Sequence, residues 1–217
     1  MVAAVFGDIF QLLDRNKDGE SEYPVQASED IIQYLKDNGI EDESLKLPSN
    51  LYIWATMNSA DQGVFPLDTA FKRRWYFEYL DINNEEDKIA ELGTVNLMIG
   101  ANNPKDINWN DLRKEINNKL IEYNINEDKL LGPHFISIHS IIDENGKIDT
   151  EKFKNVFKNK VIMYLFDDAA KQVRAKIFGG CWNTAKTYSA ICGEFDRIGL
   201  GIFPQDIRNN LTEHQNE

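Results

Sequence analysis

The residues best placed to do chemistry lie between Asn50 and Leu80. Asn58 is the first strongly polar side chain after the apolar run 51–57, and Asp61 follows it on a loop. Pro66-Leu67-Asp68 then opens a short helical segment that delivers Lys72, Arg73 and Arg74 just ahead of Trp75. In an open α/β sheet, ligands bind beyond the carboxyl ends of the strands, which is where Asn58 falls. An uncharged amide there can orient an attacking water, and a guanidinium can neutralise charge spreading over phosphoryl oxygens. On spacing alone the same residues also read as an Asn in a turn and arginines solvating a sheet edge. Lys72-Arg73-Arg74-Trp75 is the densest basic cluster and holds an aromatic ring, a combination that suits single-stranded nucleic acid. It stands alone, however, in a chain of net charge −12.

Other chemistries find less support. Asp14-x-Asn16-x-Asp18-Gly19 copies the opening of a calcium-binding loop, but the position for the bidentate glutamate holds Val25, and Pro24 blocks the helix exit. A tight surface turn is the expected structure there, and again at Asp143-Glu-Asn-Gly146. His134, His139 and His214 have no metal-ligand spacing. No Gly-x-Ser-x-Gly elbow occurs for a serine hydrolase. Cys181 and Cys192 are too few for a disulfide framework or a four-cysteine zinc site and are expected to be reduced thiols.

The elements that must position Asn58 and the arginines read as follows. With 42% hydrophobic and 28% charged residues, 217 residues carry enough apolar material for one core or two modest ones. The longest apolar runs are far short of the roughly 20 residues of a membrane span, and the first residues lack the features of a signal peptide. A cytoplasmic location is expected. Residues 51–57 are apolar on both alternating faces, as in the interior of a parallel sheet. Residues 75–80 form a second candidate strand, far enough along for a crossover. Val5, Ile9, Leu12 and Leu13 are at helical spacing, and a second helix is expected from Ser28, as its cap, to Gly39. Beyond residue 81 the pattern becomes helical, over about 85–99, 110–123 and 150–177. The tail after Gly179 has no readable pattern. The expected organisation is an α/β part to residue 81 and a mainly helical part over 82–217.

At this point a family resemblance emerges. Asn50-Leu-Tyr-Ile-Trp-Ala-Thr-Met-Asn-Ser-Ala-Asp61, followed by Leu67-Asp-Thr-Ala-Phe-Lys-Arg-Arg-Trp75, resembles the second half of an AAA+ nucleotidase core. More narrowly, it is similar to the McrB-type NTPase subunit of 5-methylcytosine-specific restriction systems. That family reads Met-Asn-Thr-Ala-Asp-Arg-Ser, then Leu-Asp-x-Ala-Leu-Arg-Arg-Arg-Phe. The segment from Val5 to Asp14 resembles the helix after the family's Walker B strand. Leu131-Gly-Pro-His-Phe135 and the helix from Thr150 resemble its lid. The likeness spans about residues 3–175. It departs at Gln62-Gly63, where the family has Arg-Ser, and at Pro133 before His134.

The resemblance implies a partial AAA+ core, a parallel-sheet remnant with helices, followed by a helical lid. Asn58 matches the sensor 1 asparagine that contacts the γ-phosphate and the attacking water. Arg73 and Arg74 match arginines offered in trans to a neighbouring subunit's nucleotide, and Asp61 matches the aspartate of Met-Asn-x-x-Asp. The implied partners are other AAA+ subunits in a ring, an endonuclease subunit and, through the complex, DNA. The implied cofactors are Mg²⁺ with GTP or ATP. No Gly-x-x-x-x-Gly-Lys-[Ser/Thr] phosphate cradle occurs, and no acidic strand end precedes Val5. The chain is therefore expected to be a C-terminal piece of a longer motor subunit, inactive alone, without tight nucleotide binding, and prone to self-association at uncovered strand edges. An AAA+ remodelling ATPase with a protein substrate and a non-enzymatic interaction module are the alternative functions.

Overall fold

The computed structural model describes residues 7–56 and 69–213; Asn58, Asp61 and His214 lie outside the described residues. The chain divides into two compact units, Met1–Tyr79 and Leu80–Glu217.

In the first unit Gly7–Leu13 winds as a 3-10 helix and buries Leu12 and Leu13. The acidic turn that follows is organised by Asn16, whose side-chain oxygen accepts from the N–H groups of Asp18 (2.9 Å) and Glu20 (3.0 Å). Gly19 provides the left-handed residue of that turn at φ +82°. The oxygen that would be a calcium ligand is thus engaged by the backbone, as expected for a surface turn. Arg15 fastens the turn to the next segment by donating to the carbonyls of Gly19, Leu47, Pro48 and Leu51. β1 (Val25–Gln26) pairs antiparallel with β2 (Ser44–Leu45), Val25 opposite Leu45. Between them α1 (Glu29–Asp37) is capped by Ser28, which accepts from the Ile31 N–H, and it carries Glu29 and Asp30 in the positive first turn. α2 (Thr69–Lys72) contributes Phe71, buried to 3% exposure.

The two strands expected at 51–57 and 75–80 are not formed among the described residues. Residues 51–56 and 76–80 carry no ladder, and Tyr52, Trp54 and Tyr76 are 78%, 90% and 94% exposed. The physical reason is local. A strand apolar on both faces needs sheet neighbours and cover on both sides. The described part of this unit buries only Leu12, Leu13, Ala27 and Phe71 among its apolar side chains.

The second unit has a continuous core. The helix expected over 85–99 is instead a short α3 (Asp87–Ala90), a left-handed Gly93 (φ +87°) and β3 (Thr94–Met98). β3 pairs antiparallel with β4 (Pro104–Asn108), Val95 opposite Ile107. Val95, Leu97 and Ile99 all turn inward, a period of two that the helical reading overlooked. α4 (Trp109–Glu122) starts from an Asn108 cap, within a residue of the helix expected at 110–123. The long helix expected over 150–177 is α5 (Thr150–Val156), running into π-helical turns at Phe157–Ile162 and Leu165–Ala169, then a break at Ala170 before α6 (Arg174–Ile177). Phe153, Phe157, Val161, Leu165 and Ala169, buried at intervals of four, keep one side of this segment in the core.

The unreadable tail is helical: α7 (Tyr188–Ile198), a 3-10 turn at Leu200–Ile202 and α8 (Gln205–Glu213). An aromatic chain knits these pieces together. Trp109 meets Phe157 edge-on (6.2 Å), Phe157 stacks on Phe195 (5.2 Å) and Phe178 on Phe203 (6.1 Å). Gly199, at φ +56°, lies so close to β3 that a Cβ there would sit 2.1 Å from the Met98 carbonyl oxygen. Among the described residues no helix is long and apolar enough to cross a membrane.

Candidate functional site

Of the four residues singled out in the sequence, the structure describes Arg73 and Arg74, which form the turn directly after α2, while Asn58 and Asp61 lie outside the described residues. The adjacent arginines have opposite environments. Phe71 stacks on Phe10 with centroids 5.4 Å apart and planes nearly parallel (7°), and Trp75 packs beside Phe71 at 5.7 Å. The Arg74 guanidinium lies over the Phe10 ring, 4.1 Å from its centroid, and its Nη2 donates to Asp14 Oδ2 at 2.6 Å. Its Nη1 donates to the Ala70 carbonyl. The Arg74 side chain is only 8% exposed, with Nε buried and unpartnered among the described residues. Arg74 therefore locks the end of α2 to the segment after the first 3-10 helix. Arg73 is exposed and forms no ion pair among the described residues.

The holder of Arg74 was not foreseen. Asp14 precedes it by 60 residues and had attracted notice only as the first acid of a calcium-like turn. No local signal could have found this pair, because it depends on how the two segments pack.

In the second unit, the segment resembling a lid contains a polar cluster that periodicity did not suggest. Arg113 on α4 has a fully buried side chain. It donates to Glu86 (2.8 Å), Asn110 (2.9 Å), Asn83 (2.9 Å) and the Leu131 carbonyl (3.4 Å). Lys114 also reaches Glu86, at 2.7 Å. The Lys114 hydrogen bond holds the Glu86 carboxyl below the usual glutamate range, against the opposing effect of burial. Asn117 both donates to the Leu131 carbonyl (2.9 Å) and accepts its N–H (2.8 Å), so α4 fixes residue 131 by a reciprocal pair. His134 sits in the next turn, half exposed, with Nε2 3.9 Å from Glu85. This is a scaffold for the turn at Pro133–Phe135, and its groups are occupied by one another. Among the described residues no three His, Cys, Asp or Glu side chains are grouped to hold a metal ion.

Two curated proteins match the chain. Over 205 residues, 94% of the chain, it is 48% identical to the Type II restriction enzyme BsuMI component YdiS of Bacillus subtilis (strain 168), and the match covers 54% of that protein. Over 190 residues, 79% of the chain, it is 26% identical to the Type IV methyl-directed restriction enzyme EcoKMcrB subunit of Escherichia coli (strain K12), covering 36% of that protein. The chain spans about half the length of the first relative and about a third of the second. No family model matches the sequence, and no solved structure matches it.

Proposed function

The chain being similar to McrB-like subunits of restriction systems, we propose that it acts within such a subunit, in the hydrolysis of GTP or ATP that drives a DNA restriction complex. In this reading Met1–Tyr79 is part of an AAA+ core and Leu80–Glu217 is the helical lid. Asn58 orients the attacking water. Arg73 reaches the phosphates held by a neighbouring subunit of the ring, and an endonuclease subunit cuts DNA bound by the complex. Arg74 has a positioning role: its bonds to Asp14 and Ala70 and its seat on Phe10 hold the helix end from which Arg73 projects. The observation that carries the reading is this asymmetry, a fixed arginine beside an exposed one, at the end of a Leu-Asp-Thr-Ala-Phe-Lys-Arg-Arg-Trp segment.

The bare apolar segments around Trp54 and Tyr76 support it too. Their composition is that of interior strands, which would be covered in a larger sheet. The 217 residues contain no glycine-rich cradle with its lysine, so phosphate and Mg²⁺ binding are not assigned to them.

The test is nucleotide hydrolysis by the protein purified at its natural full length, with Mg²⁺ and either GTP or ATP. Asn58→Ala and Arg73→Ala should each lower the rate by about two orders of magnitude or more, while nucleotide affinity changes little. A full-length protein that neither binds nor hydrolyses a nucleoside triphosphate would refute the proposal.

A further inference from the structure

One side of α4 is not covered by the core. Lys114, Asn118 and Ile121 recur at i, i+4 and i+7, so helix geometry puts them on a common face. With Ile82, Asn83 and Leu130 they line a groove of about 230 Å³ within the second unit. Its floor is apolar. Leu130 is 7% exposed, Ile82 is half-buried against the core, and Ile121 is left 54% exposed. A smaller hollow of about 90 Å³ adjoins it between α4 and α8, and the two share Glu115 and Asn118. They form one continuous groove with a wide and a narrow end.

The polar groups of the wide end suit a neutral guest. The Lys114 ammonium is already paired with Glu86 at 2.7 Å, and both side-chain polar atoms of Asn117 are engaged by the Leu131 backbone. What remains is amide chemistry. The Asn83 side-chain oxygen accepts from Arg113, which leaves its NH₂ group, and the Asn118 NH₂ group reaches Glu115 only at 3.5 Å, which leaves the Asn118 oxygen. A donor and an acceptor of this kind beside an apolar floor complement the N–H and C=O groups of a peptide main chain. Size narrows the choice further. Sites for whole small-molecule ligands run to about 300–1,000 Å³, whereas a cavity of about 150 Å³ already admits a benzene ring. The wide end is therefore too small for a nucleotide and large enough for one aliphatic or aromatic side chain.

The narrow end is acidic. Lys119 donates to both Glu122 and Asp206 and is 10% exposed, while those two carboxylates are 58% and 53% exposed. One ammonium thus serves two acids. Glu115, which accepts from the Asn210 amide at 2.7 Å, adds a third carboxylate to the lining. The excess of negative charge favours a cation beside the apolar anchor.

We propose that this groove binds an extended segment of a partner protein, with an aliphatic or aromatic side chain in the wide end and a lysine or arginine at the acidic end. Asn83 and Asn118 hydrogen-bond the main chain of that segment. Alternate side chains of an extended chain point the same way about 7 Å apart, so a spacing of two residues is the smallest that presents both groups to one face. The site lies wholly in the second unit and would stand if the roles given to Asn58 and Arg73 failed.

The experiment is titration of the isotope-labelled 217-residue chain, followed by NMR, with three capped peptides: acetyl-Leu-Ala-Lys-amide, acetyl-Ser-Ala-Lys-amide and acetyl-Leu-Ala-Glu-amide. The first should saturate with a Kd of about 1 mM or tighter, shifting the side-chain amide signals of Asn83 and Asn118 and the backbone signals of residues 114–122. Loss of the leucine or reversal of the charge should each weaken binding about tenfold. Ile121→Ser should abolish the preference for leucine, and Glu122→Gln should reduce the preference for lysine. Both positions are exposed, and unchanged signals elsewhere in the spectrum check that each variant keeps its fold. Equal binding of all three peptides, shifts that leave residues 114–122 untouched, or no shift at all would overturn the proposal. So would guanosine or a duplex oligonucleotide moving the same signals where the peptides do not, because the groove would then belong to a nucleobase or to nucleic acid.

Discussion

Replacing Arg74 by alanine tests whether neighbouring arginines have different roles. The structure gives Arg74 an ion pair at 2.6 Å with Asp14, with side-chain exposures of 8% and 24%, and a seat 4.1 Å over Phe10. A charge-assisted hydrogen bond of this kind contributes about 1.5–3 kcal/mol, and the cation–π contact adds about 0.5–2 kcal/mol. Asp14 is a quarter exposed and regains water when its partner is removed, so the lower half of that range applies, about 2–3 kcal/mol in all. Arg73→Ala removes an exposed side chain and should cost within about 0.5 kcal/mol. The assay is amide hydrogen exchange of the peptide spanning residues 69–75. It reports the bonds from Arg73 N–H to Thr69 O, Arg74 N–H to Phe71 O and Trp75 N–H to Lys72 O. At about 1.4 kcal/mol per tenfold, Arg74→Ala should speed exchange there by roughly 30- to 150-fold, and Arg73→Ala should leave it unchanged. Asp14→Ala should reproduce most of the Arg74→Ala effect and add little to it in the double variant. Equal acceleration by both arginine variants, or none by Arg74→Ala, would refute the division of labour.

Arg113→Ala should destabilise the second unit by about 3 kcal/mol in urea unfolding. That is the low end for breaking a buried pair, because Lys114 still holds Glu86. Arg113→Met should lose less, since it refills the space. The acid limb of stability follows from two carboxylates held below their ordinary range. Lys114 lowers Glu86; for Asp206 burial pushes up, but the hydrogen bonds from Lys119 and the Ile207 N–H, with the Lys119 charge, together outweigh it. Groups lowered on folding stabilise above their unfolded values, about 4.3 for Glu and 3.9 for Asp, and lose that contribution as pH falls through the folded values. The melting temperature should therefore hold steady down to about pH 5 and fall below pH 4, less steeply in Glu86→Gln; a flat profile to pH 3 would contradict this. Burial raises the Cys181 thiol to about 11 and also raises Cys192, so neither should react with a disulfide reagent at pH 7 until the chain is unfolded. Rapid labelling of Cys181 in the native protein would count against the packing of the core.

Features carried by local patterns were legible in the sequence. Ser28 as a cap, Gly19 and Gly39 as left-handed turn residues, and the helix after Asn108 each depend on a few neighbouring residues, and each is present. What failed was periodicity in short apolar windows. Val95, Leu97 and Ile99 also fit a helical stripe with Ile89 and Leu92, and only Gly93 marked the change to a strand. The tail was unreadable because its helices are anchored by distant partners, such as Asp206 on Lys119 and Gly199 on Met98. At the candidate site, Arg73 and Arg74 were singled out by type and spacing, but their different environments were not legible. That difference is set by Asp14 and Phe10, far away in the chain.

The central claim is that these residues complete a nucleotide site whose phosphate cradle is elsewhere. Its most direct test is titration of the purified 217-residue chain with fluorescent GTP and ATP analogues in Mg²⁺. The account predicts no saturable binding of either. Saturable micromolar binding would mean that these residues hold phosphates without a glycine-rich cradle, and would contradict the roles given to Asn58 and Arg73.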